Sequence, residues 1–290
     1  MRSVVLTKGV PDFSEGKVSF DEDGHLERGK TPTVMNPNDH YAARAALQTK
    51  VRHGGTVTGM SMGPPGYQSV LQELMEIYAD DLYLLSDREM AAADTWATAI
   101  TLATGIQRLS NAGPDIDLVF AGFKTADGET GHTGLQTAWC LGWPMITHVI
   151  SLDIDPDERI VRAKRLVEGD IEEIETVRAP LPALIVTDPE FEPTYRKADH
   201  RLTYKDLSAE TRKRAKDFEA YLESWDHEAL NLDPDYIGLS GSPTIVAGVD
   251  PIPKAPAERE ATVLTPDDEE GMVDLLGEVT KYSAARAGGD

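Results

Sequence analysis

The stretch 118–144, LVFAGFKTADGETGHTGLQTAWCLGWP, decides the fold. It opens on the apolar run Leu118-Val119-Phe120-Ala121, of a length that suits a buried strand. A turn rich in glycine and hydroxyl groups follows from Gly122 to Gly134. A helical pattern then places Leu135, Ala138 and Trp139 at i, i+3 and i+4, until Gly142 and Pro144 stop it. A strand ending in such a turn leaves backbone N–H groups directed outward at a helix N-terminus. That geometry favours an anion, most often a phosphate. Thr125, Thr130 and Thr133 add hydroxyl donors, and Gly122, Gly128, Gly131 and Gly134 let a ligand approach the backbone. Asp127 is expected to organise the turn, since a carboxylate facing a phosphate would repel it. The residues alone read equally well as an ordinary strand–helix connection capped by threonine.

Upstream, strands and helices alternate. Ser3–Lys8 reads as a first strand, Gly9-Val10-Pro11-Asp12 as a turn, and Phe13–Thr33 as a polar hairpin excursion. Met35-Asn36-Pro37-Asn38-Asp39 is a sharp helix start, with Asn36 suited to the N-cap, Pro37 to the first helical position and Asp39 to the first turn. Ala42, Ala45, Ala46 and Thr49 give that helix a small-residue face, and Gly54 ends it. Thr56–Met62 is a second strand, closed by Gly63-Pro64-Pro65-Gly66. A helix over Tyr67–Tyr78, a strand over Leu82–Leu85 and a helix capped by Asp94 over Thr95–Leu109 complete the series. The pattern predicts an α/β fold with a doubly wound, mostly parallel sheet.

Downstream the texture changes. Ile146–Ile154, Arg159–Val167 and Ile171–Arg178 read as an antiparallel meander, and Leu184–Thr187 as a return into the main sheet. Asp188–Tyr195 is a proline-broken loop in which Phe191 is expected to point outward. Arg196–Lys216 holds eight Lys or Arg residues, which suits a solvated helix face or contact with an acidic partner. From Trp225 on, GLSGSPT and PIPKAP read as an extended arm, with a short helix at about Asp267–Tyr282. The expected division is therefore 1–225 for the α/β domain, with its meander at about 146–178, and 226–290 for the arm.

A chain of 290 residues with net charge −22 would repel a polyanion, which excludes nucleic-acid binding. Its single cysteine, Cys140, allows neither an internal disulfide nor a cysteine-rich metal site and is expected to be a small core residue. No apolar run approaches the roughly 18–20 residues of a membrane span. The expectation is a cytoplasmic protein without direct membrane insertion.

Ligands of open parallel sheets bind outside the carboxyl ends of strands. Those ends are Lys8–Asp12, Ser61–Gly66, Ser86–Thr98 and Gly122–Gly134, and Asn36–Asp39 can join them. None carries a G-x-G-x-x-G or G-x-x-x-x-G-K-[ST] pattern, and no nucleophile is supplied with a base. His40 and His148 read as structural or surface residues, His132 less so. Any catalysis must come from a bound cofactor.

The spacing G-x-x-x-x-D-G-x-x-x-x-x-G followed by L-G-W-P resembles the β subunit of electron transfer flavoproteins. K-G-V-P-D, M-N-P-N-D, S-M-G-P-P, L-S-D-R…A-D-T-W-A-T and G-L-S-G-S-P-T are similar to further motifs of that family, in order, the last three in its electron-bifurcating form. Lys124 and Thr125 depart from the family's usual Gln and Ala, and His132 from its frequent Gln. The resemblance implies an adenine-nucleotide-binding, Rossmann-like domain in a heterodimer with an α subunit that holds a second FAD. It implies cofactor contacts at Lys8, Gly9, Val10 and Asp12; at Asn36 and Asp39; and at Ser61, Met62 and Gly63. Further contacts are implied at Asp94, Thr95 and Thr98, and at Gly122, Asp127, Gly128, Thr130, Gly131, Thr133 and Gly134. The ligand is expected to be a redox-active FAD that takes electrons from NADH, with a structural AMP as the alternative. An acyl-CoA dehydrogenase or quinone oxidoreductase partner is expected to dock at Phe191. A regulatory nucleotide-binding module of the stress-protein type is the competing reading from another class.

Overall fold

The computed structural model describes residues 1–12, 32–167, 173–193, 207, 209–245, 268, 271–277 and 280. Its elements run β1 (Arg2–Leu6), β2 (Gly9–Pro11), β3 (Thr33–Met35), α1 (Asp39–His53), β4 (Thr56–Met62), α2 (Gln68–Glu76) and β5 (Asp81–Leu85). There follow α3 (Thr95–Ala112), β6 (Leu118–Gly122), α4 (Thr133–Leu141), β7 (Met145–Asp155), β8 (Ile160–Val167), β9 (Glu173–Pro180), β10 (Ala183–Thr187) and β11 (Leu222–Trp225). Nine strands form one sheet in the order β11-β5-β4-β1-β6-β10-β7-β8-β9. Pairing is parallel from β11 to β7 and antiparallel for β7–β8 and β8–β9. The expected meander is thus the far wing of the main sheet, because β7 also pairs with β10.

Alternation along β1 builds both faces. Val5 packs with the α1 and α2 side, whereas Val4 and Leu6 pack with the α3 side. Ala42, Ala45 and Ala46 are fully buried, so α1 lies close against the sheet. Gly54 ends α1 in the left-handed region with φ 69°, its N–H returned to the Lys50 carbonyl at 2.9 Å. Asp94 caps α3 as expected, one carboxylate oxygen accepting from the N–H groups of Trp96 and Ala97 at 2.9 and 3.0 Å.

Several expectations are corrected. Gly9–Pro11, expected as a turn, is a strand paired antiparallel to β3, so the excursion has a two-stranded stem. Residues 13–31 of that excursion lie outside the described residues. Asn36 does not cap α1; the residue before the helix is Asn38, and its side chain makes no cap bond. Trp139 is 72% exposed, whereas Thr137 and Ala138 are fully buried. The cause is close approach: a Cβ on Gly134 would sit 3.1 Å from the Ala121 Cβ, leaving room beneath α4 for small side chains only. Cys140 is only half-buried.

Phe191, expected to project as a docking anchor, is 2% exposed and belongs to the core on the α1 side. The Phe191 N–H bonds the Asp188 carbonyl at 2.9 Å, which folds the loop back on itself and carries the ring inward. A phenylalanine gains about 1.5–3 kcal/mol by that burial, so it stays inside and the docking role is withdrawn.

Two compact units emerge, Met1–Val249 and Asp250–Asp290. The expected start of the arm at 226 falls inside the first. Trp225, Leu230 and Ile237 are buried with Leu85 and Met90, and β11 adds an edge strand beside β5. PIPKAP lies outside the described residues. In the second unit residues 271–277 are helical, with Met272, Val273, Leu275 and Leu276 exposed. Of the basic segment, residues 194–206 and 208 lie outside the described residues. Arg212, Lys213 and Lys216 are exposed, while Arg214 turns to Asp80 at 2.8 Å.

Candidate functional site

The chain leaves β1 in one direction along the sheet, through β4 to β5, and then crosses to the other side of β1 at β6. A crevice forms at such a reversal, outside the carboxyl ends of the two diverging strands. Here its walls are the segment after β1, beginning at Thr7, and the turn after β6, from Gly122 to Thr133.

Hydrogen bonds knit these walls together. Lys8 Nζ lies 2.8 and 2.7 Å from the two carboxylate oxygens of Asp127. The Lys8 N–H donates to Asp39 Oδ2 at 2.8 Å, and the Asn36 amide donates to Asp39 Oδ1 at 2.9 Å. Asn36 Nδ2 also donates to the Lys124 carbonyl at 3.0 Å, its Oδ1 accepts from the Ala126 N–H at 3.1 Å, and Asn38 Nδ2 donates to the same Lys124 carbonyl at 2.7 Å. The asparagine expected as a cap therefore clamps the turn instead. A Cβ on Gly122 would stand 2.4 Å from Asp39 Oδ1 and 2.7 Å from the Asn38 carbonyl carbon, so only glycine lets α1 and β6 meet here.

Asp39 is 5% exposed. Burial pushes its pKa from 3.8 to about 7, against the lowering effect of the donors from Asn36 and Lys8. Both Asp39 oxygens are directed into this scaffold, which makes Asp39 an organiser of the crevice rather than a surface that meets a ligand.

The turn itself passes through the left-handed region at Glu129, φ 51°, and Gly131, φ 66°, before α4 begins. The first N–H groups of that helix, at Thr133, Gly134 and Leu135, have no intrahelical acceptor. The Thr130 and Thr133 hydroxyls stand beside them. Lys124 lies 3.5 Å from Glu129. On the neighbouring strand end, Ser61 is fully buried and its hydroxyl finds no hydrogen-bond partner among the described residues. Free helix N–H groups and flanking hydroxyls fit the phosphate of an adenine nucleotide.

The other expected contacts fall in three places. Gly9 and Val10 lie in β2 with Val10 buried, so Val10 offers backbone only; Asp12 ends that strand, its N–H on the Pro32 carbonyl at 2.8 Å. Met62 and Gly63 end β4, with the Gly63 N–H bonded to Leu85 at 3.0 Å. Asp94, Thr95 and Thr98 form the start of α3. The second oxygen of Asp94 accepts from the Thr244 N–H and hydroxyl at 3.0 and 2.7 Å. Burial works against the charge of Asp94, but the donors from Ala97, Thr244 and Trp96 outweigh it and hold the pKa below the usual carboxylate range. Asp94 is thus committed to its helix and to Thr244.

Sequence reasoning missed Asn38, Ser242 and Thr244. Asn38 had a signal, a second asparagine within N-P-N-D. The other two lie in G-L-S-G-S-P-T, but their contact with Asp94 had no local signal, because that partner lies about 150 residues away in the chain.

Comparison with known proteins shows which family the chain resembles. A family described as the electron transfer flavoprotein domain matches residues 23–220. CarD, a subunit of the caffeyl-CoA reductase-Etf complex of Acetobacterium woodii, is 36% identical over 248 residues, covering 85% of this chain and 86% of CarD. The electron transfer flavoprotein subunit beta of Clostridium acetobutylicum is 34% identical over 247 residues, covering 85% and 86% of the two chains. Protein FixA of Azotobacter vinelandii is 32% identical over 271 residues, covering 93% and 90%. Among the described residues no helix is long and apolar enough to cross a membrane. This chain belongs to the electron transfer flavoprotein family, among its β-subunit and FixA-type members.

Proposed function

We propose that the crevice between β1 and β6 binds FAD, and that the chain passes electrons from NADH to the FAD of an α subunit in a cytoplasmic heterodimer. The observation that carries this reading is the convergence of Lys8, Asn36, Asp39 and Asp127 on the turn 122–134, which fixes helix N–H groups and threonine hydroxyls around one opening. In it, Thr130, Thr133 and the α4 N-terminus bind the phosphate, with Gly128, Gly131 and Gly134 allowing close approach. Asn36 and Asp127 hold the turn, and Lys8 is neutralised by Asp127. In this reading the far end of the ligand lies toward Lys8–Asp12 and Asp94–Thr98. A bound flavin supplies the electron-accepting chemistry in this reading, and among the described residues no nucleophile–base pair stands in this crevice.

The kinship to a subunit of a caffeyl-CoA reductase complex supports an acyl-CoA dehydrogenase-type acceptor, with a quinone oxidoreductase as the other candidate. The segment 226–290 docks the α subunit in this reading. Acid extraction of the purified heterodimer tests the ligand directly. Two FAD released per heterodimer is the expected result; one FAD with one AMP would overturn the FAD reading and leave a carrier with a structural nucleotide.

A further inference from the structure

Residues 86–94 join β5 to α3, and both ends of this loop are tied to the chain that follows β11. At the first end the Ser86 N–H donates to the Trp225 carbonyl at 2.9 Å. There His227 donates its N–H to Asp87 Oδ2 at 3.2 Å, and its Nδ1 lies 2.5 Å from the same oxygen. At the second end the Asp94 N–H donates to Ser242 Oγ at 2.8 Å, and the Ser242 hydroxyl passes its own hydrogen to the Gly238 carbonyl at 2.6 Å. Between these ends Ile237 is fully buried in one cluster with Met90. Gly238, at φ +56°, lies so close that a Cβ would stand 1.9 Å from the Glu89 carbonyl oxygen.

Residues 226–244 therefore strap the loop down along its length. Asp94 is where strap and helix meet. One carboxylate oxygen serves the first N–H groups of α3, the other serves Thr244, so the carboxylate cannot turn without releasing one of them. Thr244 is exposed and buries no ring or chain of its own, so its contribution is this link.

We infer that Ser242 and Thr244 are positioning residues for the nucleotide site, holding Asp94 so that the first turn of α3 is set for the far end of the bound ligand. The inference rests on the FAD reading above. It separates two ligands. AMP lacks the flavin half of FAD, so in this reading it does not extend to Thr95 and Thr98 and does not sense the strap, whereas FAD does.

The test uses the heterodimer stripped of nucleotide, as wild type, Thr244→Val and the double variant Ser242→Ala/Thr244→Val, titrated separately with AMP and FAD. The expected result is FAD binding weakened about tenfold in Thr244→Val, the scale of a lost bond to a charged group, with AMP binding unchanged. The double variant should weaken FAD further, and Thr244→Ser should restore it. Equal weakening of AMP and FAD would show general loosening and overturn the inference. Unchanged FAD binding in both variants would overturn it alone, while a wild-type complex that bound neither nucleotide would overturn the site reading and this inference together.

Discussion

Asp39 and Asp94 stand at equivalent places, each at the start of a helix on the carboxyl edge of the same sheet, yet their surroundings differ sharply. Asp39 is buried and receives two donors from the crevice; Asp94 is half-exposed and receives four. Burial wins at Asp39, which titrates near neutrality, and hydrogen bonding wins at Asp94, which stays ionised. A carboxylate's charge thus follows donor count set against burial, not its position on the helix. The two helix starts are held differently as a result. One is a buried scaffold whose polar members need one another, and the other is a surface clasp.

The largest effect is expected at the scaffold. Asp39→Ala leaves the Lys8 N–H and one N–H of the Asn36 amide without acceptors in a buried site, at a cost of about 1–3 kcal/mol for each unsatisfied group. Chemical denaturation of the heterodimer should show a midpoint shift of that size. Asp39→Asn sharpens the point through pH. The native carboxyl titrates above its unfolded value, so the folded state binds the extra proton between 3.8 and about 7. Its contribution is therefore complete below 3.8 and lost as pH rises through about 7. Stability of wild type relative to Asp39→Asn should fall across that interval and stay level above it. A flat difference across the interval would show that Asp39 is not held protonated.

The clasp should yield less. Asp94→Ala removes the cap of α3 and should cost about 1 kcal/mol, the usual worth of such a cap, read as a lowered melting temperature. A loss as large as that of Asp39→Ala would erase the contrast drawn between the two helix starts.

Much of this was legible in the sequence where the signal is local. The strand–turn–helix of 118–144, the Asp94 cap and the order of alternating elements follow from spacing and turn chemistry, because the residues that decide them are neighbours in the chain. Phe191 and Trp139 were misplaced because local sequence does not record what lies opposite a helix face or beneath a loop. Trp139 is pushed outward by a helix seated on Gly134, and Phe191 is drawn inward by a loop closing on Asp188. Within the site, Asn36 was legible as important, but its partners at Lys124 and Ala126 arise from the fold. The link from Asp94 to Thr244 is of the same long-range kind.

The claim that the turn 122–134 holds the nucleotide's phosphate is tested most directly at Thr133, whose hydroxyl stands at the first residue of α4. Thr133→Val keeps the shape of the side chain and deletes the donor. Titration of the stripped heterodimer with AMP should show affinity lowered roughly tenfold or more, matching the about 1.5–3 kcal/mol of a hydrogen bond to a charged group, with an unchanged melting temperature. Wild-type affinity in Thr133→Val would contradict the account.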